Sequence, residues 1–348
     1  MNFELKNRRL LITGGAGFIG SALCESFLAK GNEVVCLDNL LTGFRKNIEP
    51  FLSNPRFNFI QGDIRDPETC KKACDGIDYV FHQAALGSVP RSIENPARTN
   101  EINITGTLNM LVAARDAKVK KFVYASSSSV YGDSKKLPKV EEETGEPLSP
   151  YAITKVVNEK YALLFQDIYG LETTGLRYFN VYGRRQDPEG AYAAVIPKWV
   201  SKLIKHERPV INGDGSFSRD FTYIDNVVQA NELAAVSSQR SAVSGQQSAV
   251  ISQQSELGTA NWELRTIYNI AYGANITLKE LFSILRDNLS RFDPEIVRIE
   301  PIYGAERPGD IPHSHASIEK AKKFLGYNPP FDARKGFELA CEWYWANL

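Results

Sequence analysis

The chain has 348 residues, with 43% hydrophobic and 24% charged, a balance that excludes disordered and fibrous classes and allows one large domain or two of about 100–200 residues. Forty-one basic residues offset forty-one acidic ones, so global charge points to neither nucleic acid nor an anionic membrane, and anion binding has to come from local geometry. No apolar run approaches the about 18 residues of a membrane span and the N-terminus lacks a signal-peptide pattern, so a cytoplasmic protein is expected, with Cys24, Cys36, Cys70, Cys74 and Cys341 as reduced thiols.

The first half alternates apolar runs with helical patterns. "RRLLITG" reads as a strand, and a helix carrying Ile19, Leu23, Phe27 and Leu28 closes near Gly31. The strand "EVVCLD" follows, then "FNFIQGD", "DYVFHQA", "KFVYASS" and "TTGLRYFN", with helices between them near 67–74, 98–117 and 150–169. Near-continuous apolar strands interleaved with helices predict an α/β fold, a doubly wound parallel sheet covered on both faces. Beyond about residue 179 the rhythm changes to a helix in "AYAAVIPKWVSKLIKHERP", a strand and helix in "RDFTYIDNVVQANELAA", and a helix in "TLKELFSILRDNL". The expected division is a domain over 1–178 and a smaller, mixed α/β domain over 179–348, some segments of which return to the first. Residues 237–260 are Ser/Gln-rich, with "SAVSGQQ" followed by "SAVISQQ", a composition that predicts a weakly ordered insertion.

"TGGAGFIG" places Gly14, Gly17 and Gly20 between the first strand and the first helix. A tight turn needs the first glycine, close approach of backbone to a pyrophosphate the second, and helix-on-strand packing the third. The helix N-terminus then offers N–H groups to phosphates. Asp38 ends the second strand, eighteen residues beyond Gly20, where a carboxylate holds the adenosine ribose hydroxyls; it would repel a 2′-phosphate, so NAD is expected rather than NADP. Asp63 is read either as an adenine contact or as a helix cap.

"SPYAITK" sets Tyr151 and Lys155 one helical turn apart on one face. A tyrosine acting as a base near neutrality needs a pKa below its usual value of about 10, and a nearby ammonium favours the phenolate. Between these two motifs, "YASSSSVYGD" presents four hydroxyls at the end of a strand.

"TGGAGFIG", "SSSSVYGD" and "YAITK" resemble the extended short-chain dehydrogenase/reductase superfamily, over nearly the whole chain except the Ser/Gln insertion. More narrowly, "HQAALGSVPRSI", "FNVYGRRQDPEGAYAAVIPKW", "GDGSFSRDFTYIDN" and "ERPGD" resemble bacterial UDP-N-acetylhexosamine 4-epimerases. The resemblance implies a Rossmann-type fold and a catalytic set of Ser127, Tyr151 and Lys155, with Ser128 and Ser129 lining a sugar pocket. Tyr151 would take the proton of a C4 hydroxyl while NAD takes the hydride, and the 4-keto sugar would turn and be reduced on its other face. Lys155 would lower the Tyr151 pKa and bind the nicotinamide ribose.

Phe18, Ile19, Asn39, Ile64, Gln83, Ala84, Ala85 and Tyr178 complete the implied NAD site. Gly87, Ser88, Asn180, Ala194, Val195 and Asp310 are implied for the nucleotide sugar, with Arg219 and Arg307 gripping its diphosphate. Ser314 stands where epimerases restricted to glucose and galactose tend to carry tyrosine; a serine leaves room for an N-acetyl group, so UDP-GlcNAc and UDP-GalNAc are the expected substrate pair. His313 and His315 flank it, and H-x-H without a third ligand predicts no metal site.

Related 4,6-dehydratases carry Asp-Glu where this chain has Ser128 and Ser129, which disfavours dehydration. A uronic acid 4-epimerase stays open, with Arg91 a candidate for the C6 carboxylate. A non-catalytic NAD-binding regulator is the reading from another class, though it gives Tyr151 no task. The resemblance also implies a homodimer formed through the helices near 98–117 and 150–169, and no nucleic-acid or membrane partner.

Overall fold

A computed structural model describes residues 4–189, 194–237, 266–306 and 312–348. The amino-terminal elements are β1 (Arg9–Thr13), α1 (Phe18–Ala29), β2 (Glu33–Asp38), β3 (Phe57–Gln61), α2 (Pro67–Cys74) and β4 (Tyr79–His82). Next come α3 (Val89–Glu94), α4 (Pro96–Asn100), α5 (Gly106–Asp116), β5 (Lys121–Ser127), α6 (Pro150–Tyr169) and β6 (Thr173–Tyr178). A π-helical turn, Glu101–Thr105, joins α4 to α5 without a break, so the helix expected near 98–117 starts slightly earlier and carries an extra residue in one turn.

Local chemistry places the helix ends. Ser149 accepts a hydrogen bond from Ala152 N–H and Pro150 follows it, which starts α6; Gly170, at φ 69°, ends it in the left-handed region. Asp66 caps α2 through Glu68 and Thr69 N–H.

The remaining elements are β7 (Val181–Tyr182), α7 (Val195–Ile204), β8 (Val210–Asn212), β9 (Ser218–Arg219), β10 (Thr222–Tyr223) and α8 (Ile224–Val236). They continue with β11 (Ile267–Ile270), β12 (Ile276–Thr277), α9 (Leu278–Leu289), β13 (Ile302–Gly304), β14 (His313–Ser314), α10 (Glu319–Leu325) and α11 (Ala333–Asn347). Seven parallel strands form one sheet in the order β11-β6-β5-β4-β1-β2-β3. Ile12, on β1, lies opposite Cys36 of β2 and Phe81 of β4, all three fully buried.

β11 joins this sheet from far along the chain, and α8 packs against α1, β5 and β6. Short two- and three-stranded ribbons and the mutually packed α7, α9 and α11 make up the rest of the carboxyl-terminal half. All five cysteines are buried free thiols. Apart from Ser237, the Ser/Gln-rich stretch lies outside the described residues. No helix among the described residues is long and apolar enough to cross a membrane.

Candidate active site

The carboxyl ends of β1, β2, β4, β5 and β6 open into a cavity of about 480 Å³ that runs from the glycine-rich turn to Tyr151 and Lys155. Every residue expected at the dinucleotide lines it: Gly14, Gly17, Phe18, Ile19, Gly20, Asp38, Asn39, Asp63, Ile64, Gln83, Ala84, Ala85, Lys155 and Tyr178. Ligands in open α/β sheets bind at this edge, where strand order reverses on either side of β1.

The glycines meet the demands set out for them. Gly14 has φ +68°, and a Cβ there would lie 2.8 Å from Ala84 N. A Cβ on Gly20 would lie 2.1 Å from Gly14 O, which closes α1 onto the turn. Gly17 is the N-cap of α1 with no side-chain cap, and a Cβ there would meet only Gly14 O at 3.1 Å. The first N–H groups of α1 therefore lack a side-chain acceptor beside backbone stripped of side chain, a cradle that fits a pyrophosphate.

Asp38 does more than the sequence suggests. One carboxylate oxygen accepts Ala16 N–H at 3.0 Å and the other Leu40 N–H at 2.8 Å, tying the glycine turn to the end of β2. Burial outweighs these bonds and raises its pKa. Each oxygen keeps a lone pair for a ribose hydroxyl. Asp63 pairs with Arg65 at 2.9 Å and accepts from Asn39 at 2.8 Å, contacts that hold its carboxyl down at about 2. The cap of α2 is Asp66, so the capping reading of Asp63 is corrected.

Ser127 closes β5 and accepts Ser129 N–H at 3.2 Å. Tyr151 stands in the first turn of α6, its N–H donating to Ser92 Oγ at 3.1 Å. Lys155 Nζ donates to Ala125 O at 2.7 Å and lies 5.7 Å from the centre of the Tyr151 ring. Burial lowers the Lys155 pKa to about 8. The phenol departs from expectation: burial raises the Tyr151 pKa, and a hydrogen bond with Ser127 opposes it. Desolvation exceeds the stabilisation that the Ser127 bond gives a phenolate.

The nucleotide-sugar residues are only partly gathered. Gly87, Ser127, Tyr151 and Asn180 line the cavity, and so does Arg91. Ser88, Ser128, Ser129, Ala194, Val195, Arg219 and Ser314 do not. Ser88 is instead the N-cap of α3, at φ 111°, accepting Arg91 N–H. Ser128 and Ser129 begin a 3-10 turn, with the Ser129 hydroxyl buried and without a hydrogen-bond partner. Ala194 and Val195 start α7. Arg219 pairs in register with Ser314, and its guanidinium donates to Pro312 O at 3.1 Å. Arg307 and Asp310 lie outside the described residues. His313 bonds Ser218 at 2.9 Å, and no cluster fit to hold a metal ion occurs among the described residues.

Sequence reasoning missed two buried networks. In one, His82 accepts from Thr13 Oγ1 at 2.8 Å and donates to Thr107 Oγ1 at 3.0 Å, and Thr107 donates to Asn103 O at 2.6 Å. Asn103 in turn reaches Leu86 N–H and Thr154 Oγ1 at 2.7 and 3.1 Å. This chain ties the glycine-turn strand to α6. The other joins Glu159 to Arg177 and Ser126. The only local signal was Glu159 at four residues from Lys155 on one helix face.

A model of the NAD dependent epimerase/dehydratase family matches residues 10–247. The UDP-glucose 4-epimerase of Mycolicibacterium smegmatis is 32% identical over 338 residues, 97% of this chain and 98% of that protein. A solved UDP-N-acetylglucosamine 4-epimerase from Methanobrevibacter ruminantium, in complex with UDP-N-acetylmuramic acid, superposes with TM-score 0.84 at 36% identity, covering 99% of this chain and 100% of its own. The Thermus thermophilus UDP-glucose 4-epimerase complex with NAD gives TM-score 0.79 at 32% identity, covering 98% and 100%.

Proposed function

The chain belongs to the NAD-dependent epimerase/dehydratase family, and on that premise we propose that it interconverts UDP-N-acetylglucosamine and UDP-N-acetylgalactosamine. As an enzyme it is an isomerase, an NAD-dependent UDP-sugar 4-epimerase. The observation that carries the reading is the meeting of Ser127, Tyr151 and Lys155 with the glycine cradle and Asp38 in one cavity. Bound NAD supplies reversible oxidation of the sugar carbon, and the residues supply the proton handling and the hold on the substrate.

Ser127 and Tyr151 bracket the C4 hydroxyl. Tyr151 removes its proton and later returns one, while Lys155 keeps positive charge beside the phenol ring. Asp38 holds the ribose, and the side-chain-free backbone at Gly17 admits the pyrophosphate. Arg219 and Arg307, with Asn180, Ala194, Val195 and Asp310, anchor the nucleotide so that the oxidised sugar turns without leaving. Ser128 and Ser129 supply hydroxyls where a dehydratase needs acids. Ser314, small and partly buried next to Arg219, leaves space for the acetamido group.

Arg91, which lines the same cavity and donates to Gly87 O at 3.3 Å, favours a second reading in which the sugar carries a C6 carboxylate. The proposed assembly is a homodimer through α6 and the helix that α5 ends, near 98–117: on α6, Ile153, Leu164 and Ile168 form one exposed stripe, 48%, 47% and 62% accessible. A cytoplasmic location accords with the free thiols.

Incubation of the purified protein with UDP-GlcNAc, without added NAD, tests the function by proton NMR. UDP-GalNAc should appear while absorbance shows no accumulation of reduced cofactor. No product even after NAD is supplied would sink the acetylated-sugar reading, and UDP-glucose and the uronates would then be tried in turn.

A further inference from the structure

We propose that Glu159 is a positioning residue for catalysis: its carboxylate, fixed by Arg177, holds the charge of Lys155 and the carboxyl end of β5 in working order. The inference rests on the Tyr151–Lys155 reading above and assigns a task to a buried ion pair that reading leaves idle.

Glu159 sits one turn beyond Lys155 on the same face of α6, at residue 159 against 155. Its oxygens accept three hydrogen bonds: Ser126 Oγ at 2.5 Å and Arg177 Nε at 2.9 Å on Oε1, and Arg177 Nη2 at 2.9 Å on Oε2. The pair is almost sealed from solvent, with side chains 1% and 7% exposed. An acceptor-only pattern with a forked guanidinium is that of an ionised carboxylate. Two consequences follow. Ser126, immediately before Ser127, is pinned through its own hydroxyl, so the strand end that presents Ser127 to Tyr151 is fixed from behind. Lys155 is buried and donates to Ala125 O, and Glu159 is the carboxylate whose charge opposes its loss of the proton.

The charged and titratable groups around the pair come from each packed element. His82 on β4 feels the Lys155 charge, Tyr124 on β5 feels Glu159 and Arg177, and Tyr131 of the 3-10 turn receives Arg177 Nη1 at 3.1 Å. Glu141 accepts Asn269 N–H at 2.8 Å, and Arg177 Nη1 also donates to its backbone oxygen at 3.0 Å. Among the described residues Glu159 is the carboxylate whose charge favours the protonated form of Lys155, and Arg177 fixes its position.

The test replaces Glu159→Gln and Glu159→Asp in the full chain. The Lys155 side chain is titrated by NMR of isotopically labelled lysine, assigned with Lys155→Met, beside the pH profile of kcat/KM. Glu159→Gln should move the Lys155 titration, and with it the break it produces in the pH profile of kcat/KM, down by about one pH unit, a tenfold change in the proton equilibrium, and Glu159→Asp should restore most of it. Where Glu159→Gln does not fold because Arg177 is left unpaired, the double variant Glu159→Gln/Arg177→Met serves instead and should show the same shift. A variant with lowered thermal stability but a wild-type Lys155 titration would overturn the proposal. The NMR titration needs no turnover, so a wild type that epimerises nothing would fail the functional reading while leaving this one tested.

Discussion

The Lys155 ammonium lies 5.7 Å from the centre of the Tyr151 ring and donates to Ala125 O, so it faces the phenol as a charge rather than as a hydrogen-bond donor. Its help to the phenolate lasts only while it is protonated, and burial has lowered its pKa to about 8. The charged fraction falls as pH rises through that value. With the phenol titrating above the ammonium, the phenolate gained above about pH 8 is offset by the ammonium lost, so we expect kcat/KM to rise with pH up to about 8 and then level off in the wild type. Lys155→Met should be slow at every pH and lack that break; an unchanged break near pH 8 in the variant would assign it to another group.

Tyr151→Phe removes the proton acceptor and leaves the ring. Turnover should fall by about 10²–10⁴-fold, the range for loss of a positioned acid–base group, while NAD released on denaturing the protein stays at the wild-type amount. Ser127→Ala, which takes away the hydrogen bond that opposes the raised Tyr151 pKa, should shift the upper, phenol-governed break of the profile upward as well as slow turnover. Wild-type rates in Tyr151→Phe would leave the bound cofactor without a catalytic partner and favour the regulator reading.

Gly17 and Gly20 separate cofactor binding from folding. A methyl on Gly20 would sit 2.1 Å from Gly14 O and 2.7 Å from Gly14 C, an overlap that only backbone movement relieves, so Gly20→Ala should lower stability by about 1–3 kcal/mol or more. Gly17→Ala meets one protein atom, at 3.1 Å. Its melting temperature should stay near the wild type once cofactor is stripped, while NAD affinity falls by about tenfold or more. Calorimetry on stripped protein, with and without added NAD, reads both effects.

Ser314→Tyr places a bulky ring next to Arg219, its partner in β9. Activity on the acetylated sugars should drop by about 10–100-fold, with UDP-glucose and UDP-galactose spared, because a ring that fills this space leaves no room for the acetamido group and the unacetylated sugars make no use of it. Full activity on UDP-GlcNAc in the variant would remove Ser314 from the specificity argument.

Much of this molecule is legible in one dimension. β1, β2, β4, β5 and β6 are largely buried runs beside a half-exposed edge strand, β3, and the dinucleotide residues follow directly from where those strands end. β11 escaped because four residues, Ile-Tyr-Asn-Ile, carry too little periodicity to claim a place beside β6. Glu159 escaped for a different reason. A Lys–Glu pair four residues apart on a helix ordinarily reads as a solvated surface pair, and only Arg177 of β6, eighteen residues later, makes the site an interior one. Tyr151 shows the limit from the other side: the spacing places it and Lys155 on one face of α6, but burial, which spacing does not report, sets the direction of the phenol's shift.

His82 makes the fold acid-sensitive. It is 4% exposed, and Thr13 and Thr107 occupy both ring nitrogens. The Thr107 hydroxyl donates to Asn103 O, so it accepts from Nε2–H, and Nδ1 is left as the acceptor from Thr13; a second ring proton has no place to go. Burial, with the Lys155 charge adding to it, lowers the pKa to about 3, against about 6.5 in the unfolded chain. Between those values the unfolded state binds more protons, so this contribution to stability is complete above about pH 6.5 and is lost as pH falls toward 3. Asp220 works the other way: buried, it is pushed up to about 7, so its contribution is lost as pH rises through that value. The informative quantity is therefore a difference between variants. Melting temperature measured from pH 7.5 down to pH 4 should fall less steeply in His82→Gln than in the wild type, even though the variant starts lower for want of one of the two threonine bonds. Parallel slopes would mean that His82 accepts its second proton without loss, and that the Thr13–His82–Thr107 chain rearranges to admit it.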